Sequence, residues 1–214
     1  EPLRPRDILD LPCGNGWLSE SLKFNFEIDG IDLYDSKPDN YRNFQHFDLD
    51  RGLPENLLSY DAIVSCEGIE HLGNPLLFLE DIHKNLNKEG ILIITTPNIW
   101  YPASKLKYLF RGFFPSFPSL ISKIEKGSHM HIMPWSFSSM YVFLKLAGFE
   151  NIKIHNVYEK KPRHFFEIFF GWPQKKYCMR KIRLSKSEEE KVFWKNAGSI
   201  QSLYGRHLVV SAIK

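Results

Sequence analysis

Cysteine is scarce in this chain of 214 residues, which has only Cys13, Cys66 and Cys178. Three is an odd number without metal-ligand spacing, so a disulfide framework is excluded and a reducing compartment is expected. No run approaches the roughly 18 apolar residues of a membrane-spanning helix. The opening E-P-L-R-P-R lacks the pattern of a secretory leader. A cytoplasmic setting is therefore expected. Also missing is the third glycine of a dinucleotide fingerprint, because Gly14 and Gly16 are followed by Ser19. Nicotinamide binding is disfavoured, since that glycine lets the helix pack on its strand. What remains is ordinary for one globular domain, 43% hydrophobic and 25% charged, and residues 1–214 are read as a single unit.

The most informative stretch is D-I-L-D-L-P-C-G-N-G-W, residues 7–17. A short apolar run ends at Asp10 and breaks at Pro12. It then passes Gly14 and Gly16 before helix-like residues resume at Leu18. This reads as a strand, a tight turn and a helix start. Glycine admits backbone angles closed to other residues and leaves no Cβ in a ligand's way, while free N–H groups at a helix start favour a carboxylate. A small-molecule site is expected here. Farther on, apolar runs alternate with helical patterns. Asn74-Pro75 caps a helix whose Leu76, Leu79, Ile82 and Leu86 share a face. Gly90 to Pro97 reads as a strand buried on both faces, 136–146 as an amphipathic helix, and 151–158 and 207–213 as the last strands. Such alternation predicts an α/β fold with a mostly parallel sheet.

The 7–17 segment resembles the first motif of the class I S-adenosylmethionine-dependent methyltransferases, an acidic residue followed by G-x-G-x-G, here Asp10, Pro12, Gly14 and Gly16 with Cys13 between them. Proline stands where the first glycine belongs, which stiffens the turn and removes one N–H. Downstream motifs follow in the order the resemblance requires. E-I-D-G-I-D-L (27–33) ends in Asp32, which would accept hydrogen bonds from both ribose hydroxyls, with Leu33 beside it. A carboxylate is acceptor-only and has room for two donors. F-Q-H-F-D-L-D (44–50) places Asp48 to accept from the adenine amino group and Leu49 to offer its backbone N–H to the ring. Y-D-A-I-V-S-C-E-G-I-E-H-L (60–72) is similar to the fourth strand and following loop of the small-molecule branch. There the backbone near Cys66 and Glu67 would meet the cofactor's methionine end, and Glu70-His71 would face the substrate. The resemblance covers about 7–156 plus the last strand. It implies a Rossmann-like, mostly parallel seven-stranded sheet with helices on both faces and an antiparallel edge strand. S-adenosylmethionine is the implied cofactor, and no metal is implied.

The sequence departs from the family pattern in two respects. The first strand comes almost at once, whereas the family has helices before it, and the links after the second and third strands are short enough to be turns. Extra length lies instead in insertions at about 98–127 and 158–206. Residues 98–126 carry a net charge of +4 and residues 158–183 of +6, although the whole chain is only +3. Lysines and arginines there are interleaved with Phe113-Phe114, Phe165-Phe166 and Phe169-Phe170. Three uses fit such segments: a lid over an anionic small-molecule acceptor, a surface lying on an anionic membrane such as the inner membrane face, or a nucleic-acid footprint. Bunched aromatics favour the first two, and no RNA-binding motif is present. An RNA methyltransferase would also need an Asn/Asp-Pro-Pro-aromatic stretch where Cys66 to Ile69 reads C-E-G-I.

The expected activity is methyl transfer to a small molecule, most naturally to oxygen of a sugar, quinone or lipid-linked acceptor. His71 is the first candidate base because imidazole is neutral near pH 7. His129 and His131, in S-H-M-H-I-M-P-W, lie where many small-molecule members carry a similar histidine-containing stretch. The rival reading is a catalytically silent module that keeps the fold for binding.

Overall fold

Period-two alternation lets each strand feed both faces of one sheet. In the computed structural model, which describes residues 7–22, 26–114, 124 and 131–214, seven strands form that sheet in the order β3-β2-β1-β4-β5-β7-β6. They are β1 (Asp7–Asp10), β2 (Glu27–Asp32), β3 (Asn43–His46), β4 (Tyr60–Cys66), β5 (Leu86–Pro97), β6 (Glu150–Ile154) and β7 (His207–Ile213). The first five pair in parallel, and β7 runs antiparallel between β5 and β6 at one side of the sheet. Chain order reverses direction between β1 and β4. That is the topological switch point at which open α/β sheets bind ligands, beyond the strands' carboxyl ends.

Leu9, Ile63, Leu92, Ile94, Leu208 and Val210 point into the larger core, where they meet Phe78, Leu79 and Ile82 of α2 (Pro75–Asn85) and Phe137, Met140 and Leu144 of α4 (Phe137–Leu146). Ile8, Ala62 and Val64, one residue out of step, pack on the opposite face against Leu18 of α1 (Trp17–Ser21) and the Tyr41 ring. Burying each such side chain contributes roughly 1.5–3 kcal/mol. Local signals agree with this packing. Asn74 caps α2 by accepting from Leu77 N–H, with Pro75 in the first turn, and Ser136 and Ser139 form a reciprocal capping box on α4.

Several expectations change in detail. β3 stops at His46 because the Asp48 carboxylate accepts from Asp50 N–H and starts a 3-10 turn over Leu49–Arg51. β6 stops at Ile154, beyond which Val157 N–H turns to the Gln201 side chain. β5 begins at Leu86, so Leu86 closes α2 as its cap and does not extend the helical stripe. It is also not buried on both faces. From Gly90 to Pro97 its residues alternate buried and half-buried, because the face bearing α1 is thinly covered. As expected, no helix follows β2 among the described residues, and only the 3-10 turn follows β3. The insertions hold α3 (Pro102–Arg111) in the first, and α5 (Phe166–Leu184), α6 (Glu188–Ala197) and α7 (Ile200–Tyr204) in the second.

Candidate functional site

The site is assembled from the loops that leave β1, β2 and β4. Gly14 and Gly16 take left-handed backbone angles, φ +53° and +80°, which glycine alone adopts without strain. A Cβ at Gly16 would lie 2.4 Å from Pro38 Cβ, whereas one at Gly14 would meet nothing within 4 Å. Gly14 thus faces open space beside the strand ends. Its N–H donates to Asp32 Oδ2 at 2.8 Å, and Tyr34 N–H donates to Asp32 Oδ1 at 2.9 Å. Both oxygens of this buried carboxylate are thereby oriented, and each keeps acceptor capacity for a further donor. Leu33 lies half-buried between Asp32 and Tyr34.

Asp10 is fully buried and accepts from the Tyr41 hydroxyl. Burial pushes its carboxyl up to about 7, against the lowering effect of the Tyr41 hydrogen bond and with help from the Asp32 charge. Cys13 is buried and donates its N–H to Ile31 O, which ties the turn to β2. Burial raises its thiol to about 12, so it is an inert spacer and not a nucleophile. Pro12 has a partner the sequence does not announce. A Cβ on Gly68 would stand 2.1 Å from Pro12 Cδ, so the proline packs directly on the loop after β4. His46 of β3 pairs in register with Asp32, which brings Asp48 and buried Leu49 to the same edge of the sheet.

On the other side of the switch point, β4 ends at Cys66, whose thiol burial raises to about 11. Glu67 has φ +51°; its N–H donates to Thr95 O, and its carboxylate accepts from the Thr95 hydroxyl at 3.0 Å. Glu70 is buried, with Oε2 accepting from the Thr96 hydroxyl at 2.8 Å and Oε1 without a hydrogen bond. Burial lifts its carboxyl to about 7. The Glu70 carbonyl accepts N–H bonds from both Ile132 and Met133 at 3.0 Å, which brings His131 to His71, ring centroids 4.9 Å apart and nearly perpendicular. One ligand atom each from Glu70, His71 and His131 lies within 4.8 Å of the others, a spacing that a single cation could bridge. His129 lies outside the described residues.

Beside His131 opens a cleft of about 400 Å³ lined by Ile99, Tyr108, Phe113, Phe114, Met133 and Pro134. Tyr108 stacks on Phe114 at 4.4 Å, and Trp100 meets the same ring edge-on. The β5 end that supports this cleft is clamped by Asn98, which donates to the carbonyls of Ser202 and Gly205. Asp10, Pro12, Cys13, Gly14, Gly16, Asp32, Leu33, Asp48, Leu49, Cys66 and Glu67 all lie along the carboxyl edge. Tyr41 and the Pro12–Gly68 contact were not legible in the motifs, whereas Tyr108, Phe113 and Phe114 of the cleft lie in the insertion at about 98–127 for which a lid was one expected use. Tyr41 falls between strands with no pattern around it, and the cleft is made by residues distant in sequence.

A sequence model described as a methyltransferase domain matches residues 1–154. The mitochondrial ubiquinone biosynthesis O-methyltransferase of Rattus norvegicus is 29% identical over 143 residues, which are 60% of this chain and 40% of that protein. The malonyl-[acyl-carrier protein] O-methyltransferase of Acinetobacter baylyi is 27% identical over 162 residues, 72% of this chain and 55% of that one. The chain thus spans about half or less of these relatives' lengths. A crystal structure of an Archaeoglobus fulgidus protein superimposes with TM-score 0.57 at 18% identity, covering 98% of this chain and 86% of that chain, which supports the fold.

Proposed function

The chain belongs to the class I S-adenosylmethionine-dependent methyltransferase family, and we propose that it methylates a hydroxyl oxygen on a small molecule with an apolar body. One observation carries this reading: the His71–His131 pair, 4.9 Å apart, stands between the Cys66–Glu67 backbone and an aromatic cleft.

S-adenosylmethionine fits the residues present, because Gly14 leaves open space where a Cβ would stand and the oriented Asp32 carboxylate retains lone pairs for two ribose hydroxyls. When bound, it supplies a methyl group already activated on sulfonium sulfur. The chain's own task is then alignment and exclusion of water. Asp32 holds the ribose, and the backbone at Cys66 and Glu67 borders the methionine end. Aromatic rings of the cleft dry the acceptor's surroundings, and His71 takes the hydroxyl proton at Nε2. Glu70, buried with Oε1 3.9 Å from His71 Nε2, favours the imidazolium when it is itself ionised. The relatives' printed names, both O-methyltransferases, support oxygen as the acceptor atom.

Labelled-methyl transfer from S-adenosylmethionine into fractionated cell extract tests this reading. Base-stable label in an organic-soluble fraction is expected. Cofactor binding without transfer into any fraction favours the silent module, for which Pro12 is the support, and label only in water-soluble acceptors removes the apolar-body assignment. A chelator arm separates His71 as base from His71 as cation ligand.

A further inference from the structure

Helix α5 is built inside out. Its inward stripe, at helical spacing, is Glu167, Gly171, Gln174 and Cys178. Glu167 is fully buried; it pairs with Arg206 at 2.6 Å and accepts from the N–H groups of Arg163 and His164. Gly171 is required by the Tyr204 ring, 2.4 Å from where a Cβ would lie. Gln174 accepts from Lys105 of α3. Polar and small residues therefore hold the helix to the domain. Its outward stripe is Phe165 at the cap, Ile168, Phe169 and Trp172, with Phe165 87%, Phe169 74% and Trp172 57% exposed. Amphipathic surface helices do the reverse, and an exposed apolar patch of this kind marks an interaction site.

The charge beside the patch selects the partner. Lys175, Lys176, Arg180 and Arg183 continue along the exposed side, and Lys176 lies over the Trp172 ring at 5.0 Å. The one acid within α5 is the buried Glu167. Glu188 and Glu189, at the start of α6, are occupied by Lys191 and by Lys145 with Tyr141. A second copy would bring positive charge against positive charge. We propose that the outward face of α5 docks on an anionic lipid bilayer, the aromatic end lying among the acyl chains and the basic end against phosphate head groups. This stands on α5 alone and does not depend on which acceptor, if any, is methylated.

Vesicle co-sedimentation of the intact chain tests the proposal, using phosphatidylglycerol-containing and pure phosphatidylcholine vesicles. Binding to the anionic vesicles alone is expected, with at least a tenfold loss when salt rises from about 0.1 M to about 1 M and the screening length falls from about 10 to about 3 Å. The triple variant Lys175→Glu, Lys176→Glu, Arg180→Glu should bind about 100-fold more weakly. Phe165→Ser with Phe169→Ser and Trp172→Ser should lose binding, while the distant pair Lys88→Glu and Lys153→Glu should not. All substituted side chains are exposed, and an unchanged melting temperature checks the fold. Equal binding to neutral vesicles, no binding to anionic ones, or indifference to the charge reversals overturns the proposal. So does a lipid-free dimer that the three serines dissolve, which would assign the face to a second copy.

Discussion

The two sides of the carboxyl edge are made of different material. On the β1–β2 side, Gly14, Asp32, Tyr34, Asp10 and Tyr41 are joined by hydrogen bonds among backbone groups and carboxylates. On the β5 side, rings from Tyr108, Phe113, Phe114 and His131 form an apolar hollow over a clamp made by Asn98. The first arrangement fixes directional acceptors, which suits one ligand of constant shape. The second offers area and dryness, which suits an acceptor chosen by its body. Directional recognition needs particular residue types at particular spacings, so it leaves a signature in the sequence. A packed hollow can be built from many combinations of rings, so it leaves only a bunching of aromatics such as Phe113-Phe114.

The largest expected effect concerns the anchor of the second side. Glu167→Ala removes the carboxylate partner of Arg206, whose side chain is 12% exposed and keeps only the Tyr204 carbonyl and the Tyr101 ring among the described residues, and breaking such a buried pair costs about 3–5 kcal/mol. A fall in melting temperature is expected, with cofactor affinity preserved where the protein is still folded. Equal loss of both would mean that the two sides are not separable. Next is His71→Ala, expected to slow methyl transfer about 10²-fold or more and leave the cofactor dissociation constant within about threefold. Rapid turnover in this variant would move the base role to His131 or His129, or remove the need for a base.

Gly68→Ala tests the seam between the sides, because its Cβ would press on Pro12 at 2.1 Å. A loss of about 1–3 kcal/mol is expected from overpacking, readable by urea unfolding, and Pro12→Ala in the same chain should relieve part of it. A pH slope at Asp10 probes the first side alone. The Asp10 carboxyl titrates at about 7 in the fold against 3.8 in the unfolded chain. The folded state therefore holds a proton that the unfolded state has released between those values, and stability falls as pH rises from about 4 to about 7. Glu70, also raised to about 7, acts in the same direction. Asp10→Asn should flatten the fall in unfolding free energy across that window, by up to about 4 kcal/mol at about 1.36 kcal/mol per pH unit, and an unchanged slope would contradict the assigned burial.

The sequence was readable where chemistry constrains backbone geometry. Gly16 must be glycine because Pro38 fills its Cβ position, and Asp32 must be an acceptor because two backbone donors already point at it. β7 runs from His207 to Ile213, the bounds its apolar alternation predicts. Elsewhere tertiary context decided. Asp48 ends β3 early through its own side chain, a choice open to any strand-end aspartate. The aromatics of α5 read equally as lid or membrane surface until Glu167 is seen to be the buried residue, and its partner Arg206 lies 39 positions away.

The division between the two sides rests above all on Asp32, which is tested by calorimetric titration of S-adenosylhomocysteine into the parent chain and Asp32→Ala. Binding by the parent is expected, with a loss of about 10- to 150-fold in the variant, the worth of roughly 1.5–3 kcal/mol for a carboxylate accepting two hydroxyl hydrogen bonds. An unchanged dissociation constant in a folded variant, or no binding by the parent, would contradict it.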